Sequence, residues 1–469
     1  MKFHILIYGC QMNYADSARI ATILKNIWFE QVKTIQEADI VIFDTCAVKQ
    51  KAEDKITWKL KVIPKDKKIW ITWCMIQYNI TKNRVEDRKN SAVKMNMKRW
   101  NFIWNLSDIE YEDIPYITNK VFQPIWSTLK QKFDNLELIF RIDDVHLLPK
   151  ILKYLGYKIE NKKISQLSSY IDLLPNVANQ TEDEKIKTAY VPISTWCNQF
   201  CSYCIVPFAR WFERNRDVED IVREVKYWTD KWKQEIVLLW QIVNKHPNFY
   251  EILKKVLENP KVKWLRYTSP YPTYYSEDIF KLHEKEERLC PHIHIPVQSG
   301  SNKILKLMNR WYTAEQFKEF IDKIRSLKRP ISITTDIIVW FTNETDEDFK
   351  KSVELSKYSK FDMIYTWIYS PRPNTRAYKE LEDNVPRNVK KQRRDELNKV
   401  LYSMSLENNK KEIWETKEAI IVWKKKNIYY GYTKDMKNIE LENFDENKIW
   451  EIVNVKIKDA ISLKLFGEY

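Results

Sequence analysis

Three cysteines lie close together near the middle of the chain, in the run WCNQFCSYC that spans residues 196–204. Cys197, Cys201 and Cys204 give the spacing C-x3-C-x2-C. Structural zinc takes four ligands, and no fourth cysteine or histidine lies near these three in the sequence. Three thiolates suit a 4Fe–4S cluster whose fourth iron stays open for a substrate or cofactor. The spacing therefore predicts such a cluster, and the alternative is three unconnected buried cysteines.

Three further cysteines, Cys10, Cys46 and Cys74, each follow an apolar run rich in β-branched residues. Helical patterns separate the runs, which predicts a parallel sheet with crossover helices. Each cysteine would then follow the C-terminal end of a strand, at the edge where open α/β sheets bind ligands. The three thiols could converge there, whereas the seventh cysteine, Cys290, is predicted to be structural. The runs are residues 2–9, 38–45 and 67–73.

Length and charge bound the class of protein. The 469 residues suffice for two or three domains, and 79 Lys and Arg against 64 Asp and Glu give a net charge of +15. Such a surplus of positive charge predicts a polyanionic partner, and nucleic acid is the first candidate. No apolar run approaches the roughly 18–20 residues of a membrane span, and the N-terminal residues lack the pattern of a signal peptide. We therefore expect a cytoplasmic protein without a disulfide framework.

From Tyr190 the alternation of strands and helices continues over six candidate strands, which predicts a partial (β/α)6 barrel with its chemistry at the strand C-termini. The last segment alternates in short strands and predicts a small β-barrel. The fold class is therefore α/β, with an N-terminal three-layer parallel α/β domain before the two barrels. The predicted segments are the N-terminal domain at 1–157 with an insertion near 84–134, a linker at 158–188, the partial barrel at 189–410 and the small barrel at 411–469.

The sequence C-x3-C-x-aromatic-C after the first barrel strand resembles the motif of the radical S-adenosylmethionine enzymes. GCQMNYADS, DTCAVKQKAEDK and TWCMIQ resemble the N-terminal three-cysteine domain of the methylthiotransferases, and the C-terminal barrel resembles the TRAM domain, an RNA-binding module. The resemblance covers the chain apart from the insertion and the linker. The segments that resemble the radical domain are 196–216, 238–244, 292–313, 334–349 and 369–378.

The resemblance implies that Cys197, Cys201 and Cys204 hold a 4Fe–4S cluster that binds S-adenosylmethionine, whose reductive cleavage gives a deoxyadenosyl radical. This radical would remove hydrogen from C2 of an adenine. A second 4Fe–4S cluster would carry the inserted sulfur on its open iron, and a second S-adenosylmethionine would supply the methyl group. The ligands of the second cluster would be Cys10, Cys46 and Cys74.

Seven further residues are candidates for binding. Tyr203 occupies the aromatic position of the motif and is predicted to pack near the cofactor. Arginines after the cysteine loop could meet tRNA phosphates, the alternative being a solvated or salt-bridged run. Three residues at the end of a barrel strand are predicted cofactor contacts, the alternative being a simple turn. The arginines are Arg210, Arg214 and Arg216, and the three strand-end residues are Gln298, Ser299 and Gly300.

The segments GCQMN (9–13) and SPRP (370–373) favour the branch of the family that acts on an isopentenyl-modified adenosine next to the tRNA anticodon. Its partners would be the tRNA anticodon loop, an electron donor and a sulfur donor. One alternative is a sister enzyme acting on threonylcarbamoyl-adenosine tRNA or on a ribosomal protein. A non-catalytic iron–sulfur RNA-binding protein would explain the charge and the cysteines, but not two three-cysteine sets with an open position.

Glycine is scarce and tryptophan abundant, with 5 Gly and 19 Trp in 469 residues, where about 7% Gly is usual. Nine tryptophans stand where the family pattern has glycine. UGA differs by one base from the glycine codon GGA, so we hypothesise a gene whose source reads UGA as glycine; the alternative is a genuinely tryptophan-rich protein. The nine are Trp28, Trp73, Trp196, Trp211, Trp232, Trp240, Trp311, Trp340 and Trp450.

Overall fold

The computed structural model describes residues 1–9, 11–45, 56, 58–73, 132–140, 142–159, 186–195, 197–209, 213–372, 375–383 and 385–469. Most of the predicted insertion and linker lies outside the described residues. The chain divides into two compact units, residues 1–182 with 204–212 and residues 183–203 with 213–469. The finer boundaries of the four predicted segments stay predictions. Also outside the described residues are Cys10, Cys46, Cys74, Trp196, Arg210 and Trp211.

A five-stranded parallel sheet, ordered β2-β1-β3-β4-β5, forms the first unit as the sequence predicted. Helix α1 (Gln11–Asn26) follows the first strand and α2 (Leu148–Tyr154) follows the fifth. The strands are β1 Lys2–Tyr8, β2 Glu30–Gln31, β3 Ile40–Thr45, β4 Lys68–Trp73 and β5 Leu136–Phe140.

Strand β3 shows why this unit is layered. All six of its residues are buried, and side chains alternate between the two faces of a strand. Ile40 and Ile42 join an apolar cluster with α1 and α2, whereas Val41 and Phe43 join a second cluster on the opposite face. A strand buried on both faces reads as a continuous apolar run, as the first four residues of β3, IVIF, do. The predicted layered α/β arrangement is confirmed.

The second unit contains six parallel strands in two three-stranded sheets, β10-β9-β6 and β11-β12-β13. An isolated parallel bridge joins Leu265 to Leu289, which precedes β11. These are the six strands that the sequence predicted. Their bounds, with the short pair β7 and β8, are β6 Thr188–Pro192, β7 Ser194–Thr195, β8 Arg214–Asn215, β9 Glu235–Leu239, β10 Trp264–Tyr267, β11 His292–His294, β12 Ser332–Val339 and β13 Met363–Ile368.

Helices alternate with these strands, as a β/α barrel requires. Helices α8 and α9 begin with capping boxes at Thr313 and Thr345, in which side chain and backbone satisfy each other's hydrogen bonds. The bounds are α3 Val206–Ala209, α4 Val218–Asp230, α5 Phe249–Leu257, α6 Glu277–Lys285, α7 Asn302–Leu307, α8 Ala314–Arg325, α9 Asp346–Ser359, α10 Arg376–Glu380 and α11 Arg387–Lys410.

Five strands close the predicted small barrel in the order β14-β15-β16-β18-β17. In β17 the buried residues Val453, Val455 and Ile457 alternate with exposed ones, so one face of the strand lines the core. The bounds are β14 Thr416–Lys425, β15 Ile428–Thr433, β16 Asn438–Leu441, β17 Ile452–Ile461 and β18 Lys464–Glu468.

A buried ion pair fixes the small barrel against β9 and β10. Arg266 donates to Glu235 at 2.6 Å and to the carbonyl of Thr433 at 3.2 Å, and the Tyr432 hydroxyl donates to Glu235 at 2.6 Å. Cys290 packs beside this group, and burial raises its pKa to about 12. A protonated interior thiol in this position agrees with a structural role for Cys290.

The structure bears directly on the tryptophan hypothesis. Trp28, Trp232, Trp340 and Trp450 have positive φ angles of 68°, 64°, 59° and 73°. This left-handed region is the one that glycine enters without a steric penalty. Trp73, Trp240 and Trp311 are not among the described residues with positive φ. A tryptophan that the family pattern did not flag, Trp414, has a φ of 79°.

Replacing Arg266 by Met should lower the free energy of unfolding by about 3–5 kcal/mol, because Glu235 would remain as an uncompensated buried charge. Urea titration followed by circular dichroism measures the loss. The matched control is Lys226→Met, which breaks an exposed pair with Asp230 and should cost at most about 1 kcal/mol. An Arg266→Met chain as stable as the control would contradict this account of the junction.

Candidate active site

The cysteine loop begins where the first barrel strand ends. After β6 the backbone N–H of Ile193 still donates to Leu239 of β9, and β7 then pairs antiparallel with β8. Cys197 follows two residues after β7, at the carboxyl end of the parallel strands, where β/α barrels carry their chemistry. The predicted placement of this loop is therefore confirmed.

A turn after α7 holds the loop in place. The backbone N–H of Ser202 donates to the carbonyl of Met308 at 3.0 Å, and its hydroxyl donates to that of Leu307 at 2.7 Å. The Asn309 amide donates to the carbonyl of Phe200 at 3.0 Å. On the other side, the N–H of Ala377 donates to the carbonyl of Ser202 at 2.8 Å. Contacts more than 100 residues apart in sequence therefore set the shape of the loop.

The thiol of Cys197 lies in a mixed electrostatic environment. Burial raises its pKa to about 11, and the charges of Cys201 and Glu213 act in the same direction. A hydrogen bond from the backbone of Gln199 and the charge of Lys245 oppose the shift. The metal-free thiol is therefore protonated at neutral pH, and a metal would displace its proton on binding.

The thiols fit an iron–sulfur cluster by their chemistry. Cys197, Cys201 and Cys204 are each partly exposed and form no disulfide bond in the described part of the chain. Within that part, no three His, Cys, Asp or Glu side chains converge as the ligands of a single ion would. Cluster cysteines bind different irons, so their sulfur atoms need not meet at one point. The spacing C-x3-C-x2-C of these thiols suits such a cluster.

Two side chains beside the loop were missed as site residues from the sequence. Arg310 donates from Nη1 to the sulfur of Cys201 at 3.5 Å. The hydroxyl of Tyr271 accepts from the Trp311 backbone at 2.8 Å and from Gln199 at 3.4 Å. Arg310 lies in segment 292–313, which resembles the radical domain. A basic residue in a turn gives no sequence signal that it will reach a thiol 109 positions away.

The predicted cofactor contacts have the following surroundings. Tyr203 is half-buried, and its ring packs edge-on against Phe341 with 6.2 Å between centroids. Gln298 is buried with a φ of 75° and pairs with Ile337 through a parallel bridge. Cofactor contacts of Tyr203 and Gln298 stay predictions.

Ser299 and Gly300 follow the strand end and form hydrogen-bond contacts with α9. The N–H of Gly300 donates to the Ser352 hydroxyl at 2.8 Å, and the Ser299 hydroxyl lies 3.3 Å from the same group. A Cβ on Gly300 would lie 2.3 Å from the carbonyl oxygen of Lys351. This close approach of helix and loop requires glycine. Cofactor contacts of Ser299 and Gly300 also stay predictions.

The three arginines proposed for RNA have different outcomes. Arg214 is exposed on β8, where a phosphate could reach it. Arg216 is buried: it pairs with Glu224 at 2.6 Å and donates to the carbonyl of Pro192 at 2.7 Å. A guanidinium neutralised in the interior does not meet a phosphate, which corrects the prediction for Arg216. Arg210 lies outside the described residues.

Two family profiles match the chain. The profile of the Radical SAM superfamily matches residues 191–356, and that of the Uncharacterized protein family UPF0004 matches residues 2–94. A solved radical S-adenosylmethionine methyltransferase from Kitasatospora setae, with cobalamin and a 4Fe–4S cluster bound, has a similar fold. Its TM-score is 0.50 at 9% identity, covering 89% of this chain and 80% of that chain. Fold and site define a radical S-adenosylmethionine protein.

Relatives with named activities match over the full length. The tRNA-2-methylthio-N(6)-dimethylallyladenosine synthase of Bacillus licheniformis is 33% identical over 485 residues, covering 100% of this chain and 85% of the relative. The synthase of the same name from Caldicellulosiruptor saccharolyticus is 32% identical, covering 99% of this chain and 92% of the relative. The chain belongs to the family of these radical S-adenosylmethionine methylthiotransferases. None of the described helices has the length and apolar character to cross a membrane.

Replacing Asn309 by Gly should loosen the cysteine loop without straining the turn. Asn309 has a φ of 58°, which glycine accepts, so the variant loses the amide contacts to Gln199 and Phe200 and the 3.4 Å contact that its Oδ1 accepts from the exposed Trp311 indole. Hydrogen bonds of this kind contribute about 0.5–1.5 kcal/mol each. We expect faster loss of iron to a chelator from the reconstituted chain. The control is Asn302→Ala, which removes amide contacts outside the loop; equal rates of iron loss in both would contradict the role of Asn309.

Proposed function

We propose that this chain methylthiolates C2 of an isopentenyl-modified adenosine next to the tRNA anticodon. The observation that carries the proposal is the cysteine loop at the carboxyl end of a six-stranded barrel, in a chain that is similar over its full length to synthases of that name. Because the substrate is tRNA, we also propose a cytoplasmic location.

The chain belongs to a class that uses an iron–sulfur cluster and S-adenosylmethionine. Bound together, these supply the radical chemistry that a C2–H bond of adenine needs, since that carbon has no acid–base route to activation. Cys197, Cys201 and Cys204 would hold this cluster and leave one iron open. The turn at 307–310 fixes the loop that carries these cysteines.

We propose a second cluster at the first unit. Strands β1, β3 and β4 are neighbours in the parallel sheet, so their carboxyl ends lie side by side. Cys10, Cys46 and Cys74 follow those three ends within two residues. Three thiols after three adjacent strands suit a second 4Fe–4S cluster with an open iron for the transferred sulfur. A separate sulfur donor and an electron donor are then required partners.

The charge of the chain supports an RNA partner. A net charge of +15 favours binding to a polyanion, and the exposed Arg214 lies on the strand that pairs with β7, just before the cysteine loop. We propose that the small barrel and this region contact the anticodon arm. The sister activities, on threonylcarbamoyl-adenosine tRNA or on a ribosomal protein, remain the alternatives, because they would use the same six cysteines.

Nucleoside mass spectrometry tests the substrate. The full-length chain, expressed in cells whose tRNA carries isopentenyl-adenosine without a methylthio group, should convert that nucleoside to its methylthio form. Methylthio groups on threonylcarbamoyl-adenosine, or on ribosomal protein alone, would replace the proposed substrate with a sister one. Intact tRNA nucleosides and no cleavage of S-adenosylmethionine under reductant would point to the non-catalytic alternative.

Cysteine variants test the two clusters. The reconstituted parent should carry about eight irons per chain, four in each cluster. Cys197→Ala should abolish cleavage of S-adenosylmethionine, whereas Cys10→Ala should keep cleavage and lose methylthiolation. Cys290→Ala, at a buried thiol that packs against Trp264 and Ile420, should keep iron and activity. Cleavage that survives Cys197→Ala would show that the ligand sets are assigned wrongly.

A further inference from the structure

Arg310 is a partly buried cation fixed beside a proposed cluster ligand. Its Nη1 donates to the sulfur of Cys201 at 3.5 Å, and its Nη2 donates to the carbonyl of Pro296 at 2.8 Å. Both Nε and Nη2 also donate to the hydroxyl of Tyr312, at 3.1 and 2.8 Å. Its guanidinium carbon lies 4.5 Å from the ring centroid of Tyr271. The side chain is therefore held by the Pro296 carbonyl and two tyrosines, while Nη1 donates to the thiol.

The environment keeps this cation charged and oriented. A guanidinium is not deprotonated in proteins, and its planar fork fixes the direction of each N–H. Its other contacts are neutral carbonyl and phenol groups, so no carboxylate cancels its charge in these contacts. The positive charge thus lies next to Cys201, at a partly buried position that salt screens less than it screens exposed charges.

We propose that Arg310 is a positioning residue that orients Cys201 and raises the reduction potential of the cluster at Cys197, Cys201 and Cys204. Hydrogen bonds to the sulfurs are one of the factors that set the potential of an iron–sulfur cluster. Reduction adds one negative charge, which a neighbouring cation stabilises. Arg310 therefore makes the cluster easier to reduce. The inference rests on the proposed function only in placing a cluster on these three cysteines.

The test is a redox titration of the reconstituted full-length chain, followed by electron paramagnetic resonance. To isolate one cluster, it is done in a Cys10→Ala background. Arg310→Gln should shift the midpoint potential of the remaining cluster to more negative values. Arg310→Lys should shift it less, because an ammonium keeps the charge but lacks the fork. If Arg310→Gln fails to retain iron, the shift in Arg310→Lys decides.

The control is Arg325→Gln. Arg325 is an exposed arginine that donates to the carbonyls of Ile331 and Ser359 near the opposite end of β12, so its replacement should leave the potential unchanged. A potential equal to that of the parent in both Arg310 variants, with iron retained, would overturn the role of Arg310 alone. A parent chain in the same background that binds no iron would instead overturn the proposed function.

A second inference follows from backbone conformation. Four helices end in the same way: the second residue past the helix is left-handed, its N–H donates three residues back, and the next N–H donates five residues back. This is the Schellman ending, which favours glycine and then asparagine in the left-handed position. The four left-handed residues are Gly156 after α2, Asn309 after α7, Trp28 after α1 and Trp232 after α4.

Nothing in the surroundings compensates tryptophan at two of these endings. Trp28 is 79% exposed and Trp232 is 76% exposed, so neither ring is packed. Trp340, also left-handed, is instead packed: the guanidinium carbon of Arg393 lies 3.1 Å from its ring centroid, and its indole N–H donates to the carbonyl of Val389 at 2.7 Å. The evidence for glycine at position 340 is therefore its backbone conformation, whereas at positions 28 and 232 the lack of packing adds to it.

We infer that the natural protein carries glycine at Trp28, Trp232, Trp340, Trp414 and Trp450. These five account for all described tryptophans with left-handed φ. A source organism that reads UGA as glycine would produce this pattern, because every such codon becomes tryptophan under a table that reads UGA as Trp. Trp414 extends the set beyond the positions that the sequence pattern had indicated.

Peptide mass spectrometry of the protein from its source decides the matter. Glycine is expected at positions 28, 232, 340, 414 and 450. The internal controls are Trp228 and Trp264, which are fully buried with ordinary φ and are expected to be read as tryptophan. Tryptophan at 28 and 232 would overturn the inference. In the recombinant chain, Trp232→Gly should raise the unfolding temperature and Trp228→Gly should lower it; a fall in both would count against glycine at 232.

Discussion

Parallel strands must all end at one edge of their sheet, and this constraint decides where chemistry can gather in both units. In the first unit β1, β3 and β4 are adjacent, and a cysteine follows each of them within two residues. In the second unit the cysteine loop leaves the same edge of the six-stranded barrel. The ends of adjacent parallel strands are neighbours in the sheet even when they are far apart in sequence.

The cysteine loop itself has little local structure, and the rest of the barrel supplies its shape. Ser202 donates hydrogen bonds to carbonyls of the turn after α7, and the Asn309 amide donates one to the carbonyl of Phe200. The same turn presents Arg310 to Cys201. A single turn therefore fixes both the backbone of the loop and the charge beside one of its thiols. Geometry and electrostatics at this site have one structural origin.

The backbone conformation at a helix ending is the same for different side chains at that position. The endings of α1, α2, α4 and α7 share their hydrogen bonds and their left-handed residue, although the residues are Trp, Gly, Trp and Asn. The ending is set by the backbone hydrogen bonds that close the last turn of each helix. The structure therefore shows where a left-handed backbone favours glycine. Tryptophan at such a position supports the inference that the codon is read as glycine in the source.

The sequence by itself determined the layered α/β unit, the six barrel strands, the small closed barrel and the position of the cysteine loop. These follow from periodicity and from short-range spacing, which are local properties. Only the tertiary structure decided which polar residues serve the site. It buried Arg216 against Glu224 and brought Arg310 to Cys201. Glu224 lies 8 residues from Arg216, and Cys201 lies 109 residues from Arg310. These pairs form because of how helices and strands pack, which is a property of the whole fold.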